Sequence, residues 1–401
     1  MPEDLFRIQR NCLRVMGHQD IFDNNEVSSN DEQKSKSKRQ RQRRCFRHCQ
    51  ALKYVLLLLF MVSAQLPMMN YIIYHIDDLA LATACLSIVF TNVLTVIKTS
   101  TFLTYKREFK SLMAEFESMY DELHEAGAKR CLVTVNVGAK RFVKLYFGAC
   151  TSTGLYFTIN PLVSMIWAKF QAKPIPLELP MPMRFPFDFE STPGYEIAYI
   201  YTIFITIVVV MHATSVDGLF VSFTTNLRGH FQALQYFIET NTFNKSEALL
   251  QRELGNYVQY HVRLLGLVQS VQRVFKPIIF GQFLMTSLQV CVIIYQLVTN
   301  MGVIMEMVVY CTFLSSILLQ LLIYCYGAEF LKTESSAVST AIQMSQWYNL
   351  PPRHRHVLRL MMLRSQREII ISAGFYEASL ANFMSILKAA MSYITFIQSI
   401  E

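Results

Sequence analysis

Seven stretches of this chain are each apolar over about 20 residues, the length a helix needs to cross a hydrocarbon layer about 30 Å thick. They run from Ala51 to Tyr74, Leu79 to Ile97, Phe142 to Trp167, Ile197 to Phe223, Pro277 to Val298, Val303 to Tyr326 and Gly374 to Ile397. The fourth contains His212 and Asp217, and the seventh is diluted by Lys388 and several Ser and Asn. Only 16% of the residues are charged, against about 25% in an average soluble domain, so much of the surface meets something other than water. The spacing predicts an all-α membrane protein with seven transmembrane helices.

Lys and Arg set the expected orientation. The densest basic run, Lys34 to His48, precedes the first span. Residues 1–50 are therefore read as a cytoplasmic, partly disordered segment, a topology determinant near acidic lipid rather than a nucleic-acid site. No short apolar core with a cleavage site precedes the first span, which is read as its own anchor. The second-to-third connection carries Lys106, Arg107, Lys110, Lys129, Arg130, Lys140 and Arg141, and the fourth-to-fifth and sixth-to-seventh are similarly basic. The long third-to-fourth loop offers only Lys169, Lys173 and Arg184. With the N-terminus cytoplasmic, seven spans put the C-terminus outside. That is the inverse of the G-protein-coupled receptors, and no Asp-Arg-Tyr closes the third span. The Asn244-Lys245-Ser246 sequon falls on a loop expected to be cytoplasmic. The Cys residues are expected in spans or as reduced thiols.

Outside the membrane, Phe109, Leu112, Met113, Phe116, Met119, Tyr120 and Leu123 recur at helical spacing, which predicts an amphipathic continuation of the second span. A second such stripe, Leu250, Leu254, Val258, His261, Leu264, Val268, Val271 and Phe275, leads into the fifth span. The expectation is that these stripes are buried against neighbouring subunits. The third-to-fourth loop holds Pro174, Pro176, Pro180, Pro182, Pro186 and Pro193, interleaved with Phe185, Phe187 and Phe189. That composition predicts an ordered, non-helical lid over the outer helix ends, the alternative being a disordered loop.

No Walker loop, GxSxG, HExxH, GxGxxG or CxxC pair is present, so neither catalysis nor a cofactor is implied. Cys45, His48 and Cys49 lack a second ligand pair for a metal. Asp217 is expected to pair with an Arg. In the seventh span Ser385, Ala389, Ser392, Phe396 and Ser399 follow at steps of four and three, one helical stripe. A small, polar seam serves either close helix packing or the lining of water. Lys388 favours water, because an unpaired ammonium in lipid costs about 2.5–3.5 kcal/mol. Phe396, the large ring on the stripe, is then placed as a hydrophobic constriction. Tyr156, Phe157 and Asn160, Tyr199, Tyr201 and Phe204, and Met307, Tyr310 and Phe313 sit in the outer halves of the third, fourth and sixth spans. They suit a small apolar ligand.

From Tyr324 onward the sequence resembles the signature region of insect odorant receptors: the Ala341–Tyr348 segment ending in Trp-Tyr, MMLRSQ, SAGFYEASL and SYITFIQS follow in that family's order. The likeness extends upstream through FPFDFESTPGYEIAYIY and HVRLLGLVQSVQRVFKPIIFGQF. The basic run in residues 1–50 is atypical of it. The resemblance implies an odorant-gated, non-selective cation channel subunit in a heterotetramer with the family's co-receptor, in the plasma membrane of olfactory cilia. It implies a small volatile odorant and membrane lipid as partners. It also implies a cytoplasmic anchor region at about 228–276 and 328–373 within a 51–398 transmembrane domain. By position, Phe396 matches the gate residue and Ser399 the polar residue outside it. The ligand-contact expectation rests on Tyr156, Phe157, Asn160, Tyr201, Phe204, Tyr310 and Phe313. A gustatory receptor's Thr-Tyr…Gln-Phe ending is not matched, and no internal repeat points to a transporter.

Overall fold

The computed structural model describes residues 6, 10, 11, 13, 14, 52–171, 177–189, 191–300, 302 and 304–398. The basic run from Lys34 to His48, the Cys45/His48/Cys49 cluster, Pro174, Pro176 and Ser399 lie outside them. The described residues include nine α-helices of fifteen residues or more: α1 (Leu52–Tyr74), α2 (Leu79–Thr104), α3 (Lys106–Glu122), α4 (Ala126–Phe170), α5 (Gly194–Thr240), α6 (Glu247–Thr299), α7 (Ile304–Met344), α8 (Pro352–Gln366) and α9 (Leu380–Gln398). At 1.5 Å per residue, α4 to α7 are about 60–80 Å long, twice a bilayer core. Their upper parts form the spans, and their lower parts stand below them. "Upper" here means the end bearing the α1–α2 and α6–α7 turns.

Five helices (α1, α2, α5, α6 and α7) are long and apolar enough to cross a membrane by length and composition. α4 and α9 are more polar, and it is packing that places them in the bundle. α1 is interrupted at Ala64, next to Ser63, whose carbonyl Pro67 cannot bond. Asp78 caps α2, its carboxylate accepting from the backbone of Ala80 and Leu81 at 3.1 Å, which explains why the chain reverses so tightly there. α2 does not run straight on as expected. It breaks at Tyr105, and α3 is a separate helix.

The lower core is aromatic. Phe109 meets Phe275 edge-on at 5.3 Å, Phe116 stacks on Phe223 at 5.6 Å, and Phe220 meets Phe275 at 5.1 Å. Both amphipathic stripes are therefore covered within the chain: Phe109, Leu112, Phe116 and Met119 of α3, and Leu250, Leu254, Leu264 and Phe275 of α6, are all buried. This corrects the expectation of burial against neighbouring subunits. Folding α3 back against α5 and α6 satisfies its apolar face locally, and Arg263 bridges Glu115 and Glu122 across that seam at 2.6 Å each.

The seventh span begins later than Gly374. Residues 372–377 form a two-stranded antiparallel hairpin pairing Ser372 with Glu377, and Gly374 takes φ +65° at its turn, a conformation glycine supplies without steric cost. α9 starts only at Leu380.

Candidate functional site

The upper bundle encloses a cavity in two chambers. The upper one, about 280 Å³, lies between α2, α4, α7 and the loop at 177–189, with Tyr156, Phe157, Asn160, Tyr310 and Phe313 on its walls. The lower one, about 100 Å³, is lined by α2, α4, α5 and α7, including Thr91, Gly154, Thr206, Val210 and Gln320. Ile88, Phe157 and Phe313 belong to both, the last two with their rings together. These two rings meet edge to face between the chambers, with centroids 6.0 Å apart at 78°.

The lining of the lower chamber is apolar despite its hydroxyls, whereas the upper chamber also carries Asn160, Glu178 and Glu306. Thr91, Thr206 and Thr214 donate to backbone carbonyls four residues earlier, at 3.2, 2.8 and 2.7 Å, so their protons are spent inside the helices and their methyl groups remain for a ligand. Gly154 lets α4 approach α5 closely, since a Cβ there would lie 3.2 Å from Val210 and 3.4 Å from Thr206. One donor stands out: the Tyr156 hydroxyl is buried in the upper chamber wall and has no hydrogen-bond partner. A buried unpaired hydroxyl costs about 1–3 kcal/mol, a penalty that an accepting ligand atom would remove.

The loop at 177–189 roofs the upper chamber through Leu179, Pro180 and Pro182. It is pinned at several points. Tyr195 Oη donates to the Glu178 carbonyl at 2.9 Å, Cys85 Sγ to the Pro182 carbonyl at 3.3 Å, and Arg184 N to the Pro67 carbonyl at 2.9 Å.

Below the floor, four helices converge on one carboxylate. Asp217 of α5 lies 2.7 Å from Lys98 Nζ of α2 and accepts from Tyr146 Oη of α4 at 2.6 Å and Tyr324 Oη of α7 at 2.5 Å. All four residues are buried. The partner of Asp217 is thus Lys98, not an Arg. Lys98 falls one residue past the expected end of the second span, but α2 runs on to Thr104 and carries it into the core.

The remaining expected contact residues are dispersed. Tyr201 lies in a separate groove between α1 and α5, its hydroxyl 2.7 Å from Ser63 Oγ. Phe204 is 60% exposed on the outer surface of α5. Tyr199 is buried and donates to the Thr158 carbonyl at 2.6 Å, and Met307 is half-buried. Sequence reading missed Ser87, Ile88 and Thr91 on α2, and Gly154, Thr206 and Val210 on the facing helices. Residues of these types are ordinary helix residues, and only the packing marks them as lining.

On α9, Ser385, Lys388, Ala389 and Ser392 are all exposed. The opposite face, with Phe383 and Ile386, packs against the chain's own core. The small, polar stripe therefore takes no part in helix packing within this chain. Phe396 lies in the last turns of α9. The described residues contain no group of three or more His, Cys, Asp or Glu that could hold a metal.

A mainly helical membrane protein with a roofed, two-chambered cavity has a site of the kind that small, largely apolar molecules occupy. The sequence pattern of the 7tm odorant receptor family matches residues 78–391. The chain is 43% identical to odorant receptor 82a of Drosophila melanogaster over 99% of both chains, and 30% identical to odorant receptor 47a of that species over 85% of this chain and 90% of the other. It superimposes on the olfactory receptor OR5 of Machilis hrabei in complex with eugenol with a TM-score of 0.80 over the full length of both chains, at 18% identity. The chain belongs to the 7tm odorant receptor family, with that family's seven-span fold. Its relatives are receptors and not enzymes, in line with the lack of catalytic motifs.

Proposed function

We propose that this receptor is a subunit of an odorant-gated, non-selective cation channel that works with the family's co-receptor as a heteromer in the plasma membrane of olfactory cilia. The observation that carries the reading is the pairing of a roofed apolar cavity with an α9 whose polar face is turned away from the chain's own bundle. A volatile odorant enters the two chambers and meets Tyr156, Phe157, Asn160, Tyr310 and Phe313. The exposed seam of Ser385, Ala389 and Ser392, with Lys388 beside it, needs water or another subunit, and a shared pore supplies both. Phe396 then forms the constriction and Ser399 the polar site beyond it. One-sided Lys and Arg support a cytoplasmic N-terminus and an extracellular C-terminus.

The test is co-expression with the co-receptor under voltage clamp. Odorant-evoked cation current should rise within milliseconds and without guanine nucleotide. Phe396→Ala should change basal conductance or ion selectivity and leave the ranking of odorants intact. A current that requires GTP, or a Phe396→Ala channel that alters only odorant ranking, overturns the reading.

A further inference from the structure

A second concavity shares no lining residue with the two chambers. It lies on the bundle surface between α1 and α5, with a volume of about 560 Å³, and its walls include Leu66, Pro67, Phe185, Phe187, Ile197 and Tyr201. Leu66 and Ile197 at its mouth are 74% and 58% exposed. It therefore opens sideways, at the level of the spans, and what it meets there is lipid.

The groove is polar only at its ends. At the bottom, Ser63 Oγ and Tyr201 Oη lie 2.7 Å apart and satisfy each other, while Phe60 and Phe185 meet the Tyr201 ring edge-on at 5.4 and 5.7 Å. At the top stands Arg184. Its guanidinium lies 3.3 Å from the centre of the Tyr74 ring, and no carboxylate pairs with it among the described residues. Its backbone is fixed from both sides: its N–H donates to the Pro67 carbonyl at 2.9 Å, and its carbonyl accepts from Asn70 Nδ2 at 3.1 Å. With its backbone fixed, an aromatic face on one side of the guanidinium and no carboxylate on it among the described residues, Arg184 is a prepared anion contact.

The dimensions identify the amphiphile. From Tyr74, beside the guanidinium, to Ser63 at the floor, α1 descends about 16 Å at 1.5 Å per residue. Half of a hydrocarbon core about 30 Å thick is nearly the same depth. An anion contact at the interface, above an apolar trough one leaflet deep, matches a phosphate with an acyl chain below it. An uncharged apolar ligand would fill the trough and leave Arg184 without a counter-ion.

We propose that the α1–α5 groove is a phospholipid site of the upper leaflet, with the lipid phosphate on Arg184 and one acyl chain lying down the trough to Tyr201. Bound there, the lipid packs against Phe185 and Phe187 of the loop that roofs the ligand chambers, and so ties the roof to the membrane.

Full-length receptor purified in detergent, stripped of lipid and titrated with palmitoyl-oleoyl-phosphatidylcholine under native mass spectrometry tests this. Wild-type protein should retain one phospholipid. Palmitoyl-oleoyl-glycerol, which has the same chains and no phosphate, should bind about tenfold more weakly, as expected for loss of one charge-assisted contact. Arg184→Ala should weaken phosphatidylcholine about tenfold, and Arg184→Lys, which keeps the charge, by no more than about threefold. Equal retention of the two lipids by wild-type protein, or an Arg184→Ala protein that holds phosphatidylcholine as tightly as wild type, overturns the proposal. Should Arg184→Ala fail to purify, the comparison of the two lipids on wild-type protein decides alone.

Discussion

Asp217→Asn changes one atom type in a fully buried polar cluster. The carboxylate receives Lys98 at 2.7 Å and the hydroxyls of Tyr146 and Tyr324 at 2.6 and 2.5 Å, and all four side chains are shut off from solvent. The substitution keeps the shape and one acceptor oxygen but removes the charge, so the Lys98 ammonium is left buried without a counter-ion. Breaking a buried pair from one side costs about 3–5 kcal/mol. Against a native stability of about 5–15 kcal/mol that is a large share, equivalent to two to four decades in the folding equilibrium. Thermal unfolding of the detergent-solubilised, fluorescently tagged receptor, together with its yield in the monodisperse peak, measures the effect. Asp217→Asn should lose most of the folded yield. Lys98→Met combined with Asp217→Asn should recover most of it, because no buried charge remains and the amide oxygen still accepts from one tyrosine. A single variant that melts like wild type, or a double variant no better than the single one, would refute the argument that charge pairing holds α2, α4, α5 and α7 together at this level.

Two further predictions concern the ligand chambers and the lower seam. Phe157→Ala removes one of the two rings that meet between the chambers and should let longer ligands bind; a dose–response panel in co-expressing cells should move toward them, whereas Phe204→Ala, at a residue exposed on the outer surface, should leave the ranking unchanged. At the seam, the hydrogen bond from Arg263 holds the Glu122 carboxyl below its usual range. A depressed carboxylate contributes stability above its unfolded value of about 4.3 and loses it as pH falls through the lower folded value. Glu122 is exposed and Arg263 half-buried, so solvent screens the pair, and Arg263→Ala should cost about 1 kcal/mol or less and flatten the acid limb of a thermal-stability profile below about pH 4.3.

Parts of the site could be read directly from the sequence. Tyr156, Phe157, Asn160, Tyr310 and Phe313 were expected near a ligand because aromatic residues with few polar groups in the upper halves of spans suit an apolar molecule, and these five do line one chamber. Tyr201 and Phe204 met the same criterion but face the α1–α5 groove and the outer surface. Residue type and depth are legible in one dimension, but the rotation of a helix about its axis is set by what packs against it. Thr91, Gly154 and Thr206 carry no signal in sequence for the same reason. The α9 seam was legible as a stripe, yet whether it packs or faces outward was decided only by seeing Phe383 and Ile386 take the inward face.

By itself the sequence determined the membrane class, five of the spans and the family. Those follow from the length of apolar runs and the order of short motifs, which are local properties of the chain. Tertiary structure alone decided that Lys98 enters the core to meet Asp217, that α3 folds back to bury Phe109 and Phe116 within the chain, and that Arg184 sits over the Tyr74 ring above an apolar trough with no carboxylate on it among the described residues. Each depends on where two distant segments meet, because burial and charge pairing act across space at a few ångströms, whereas a sequence records only neighbours along the chain.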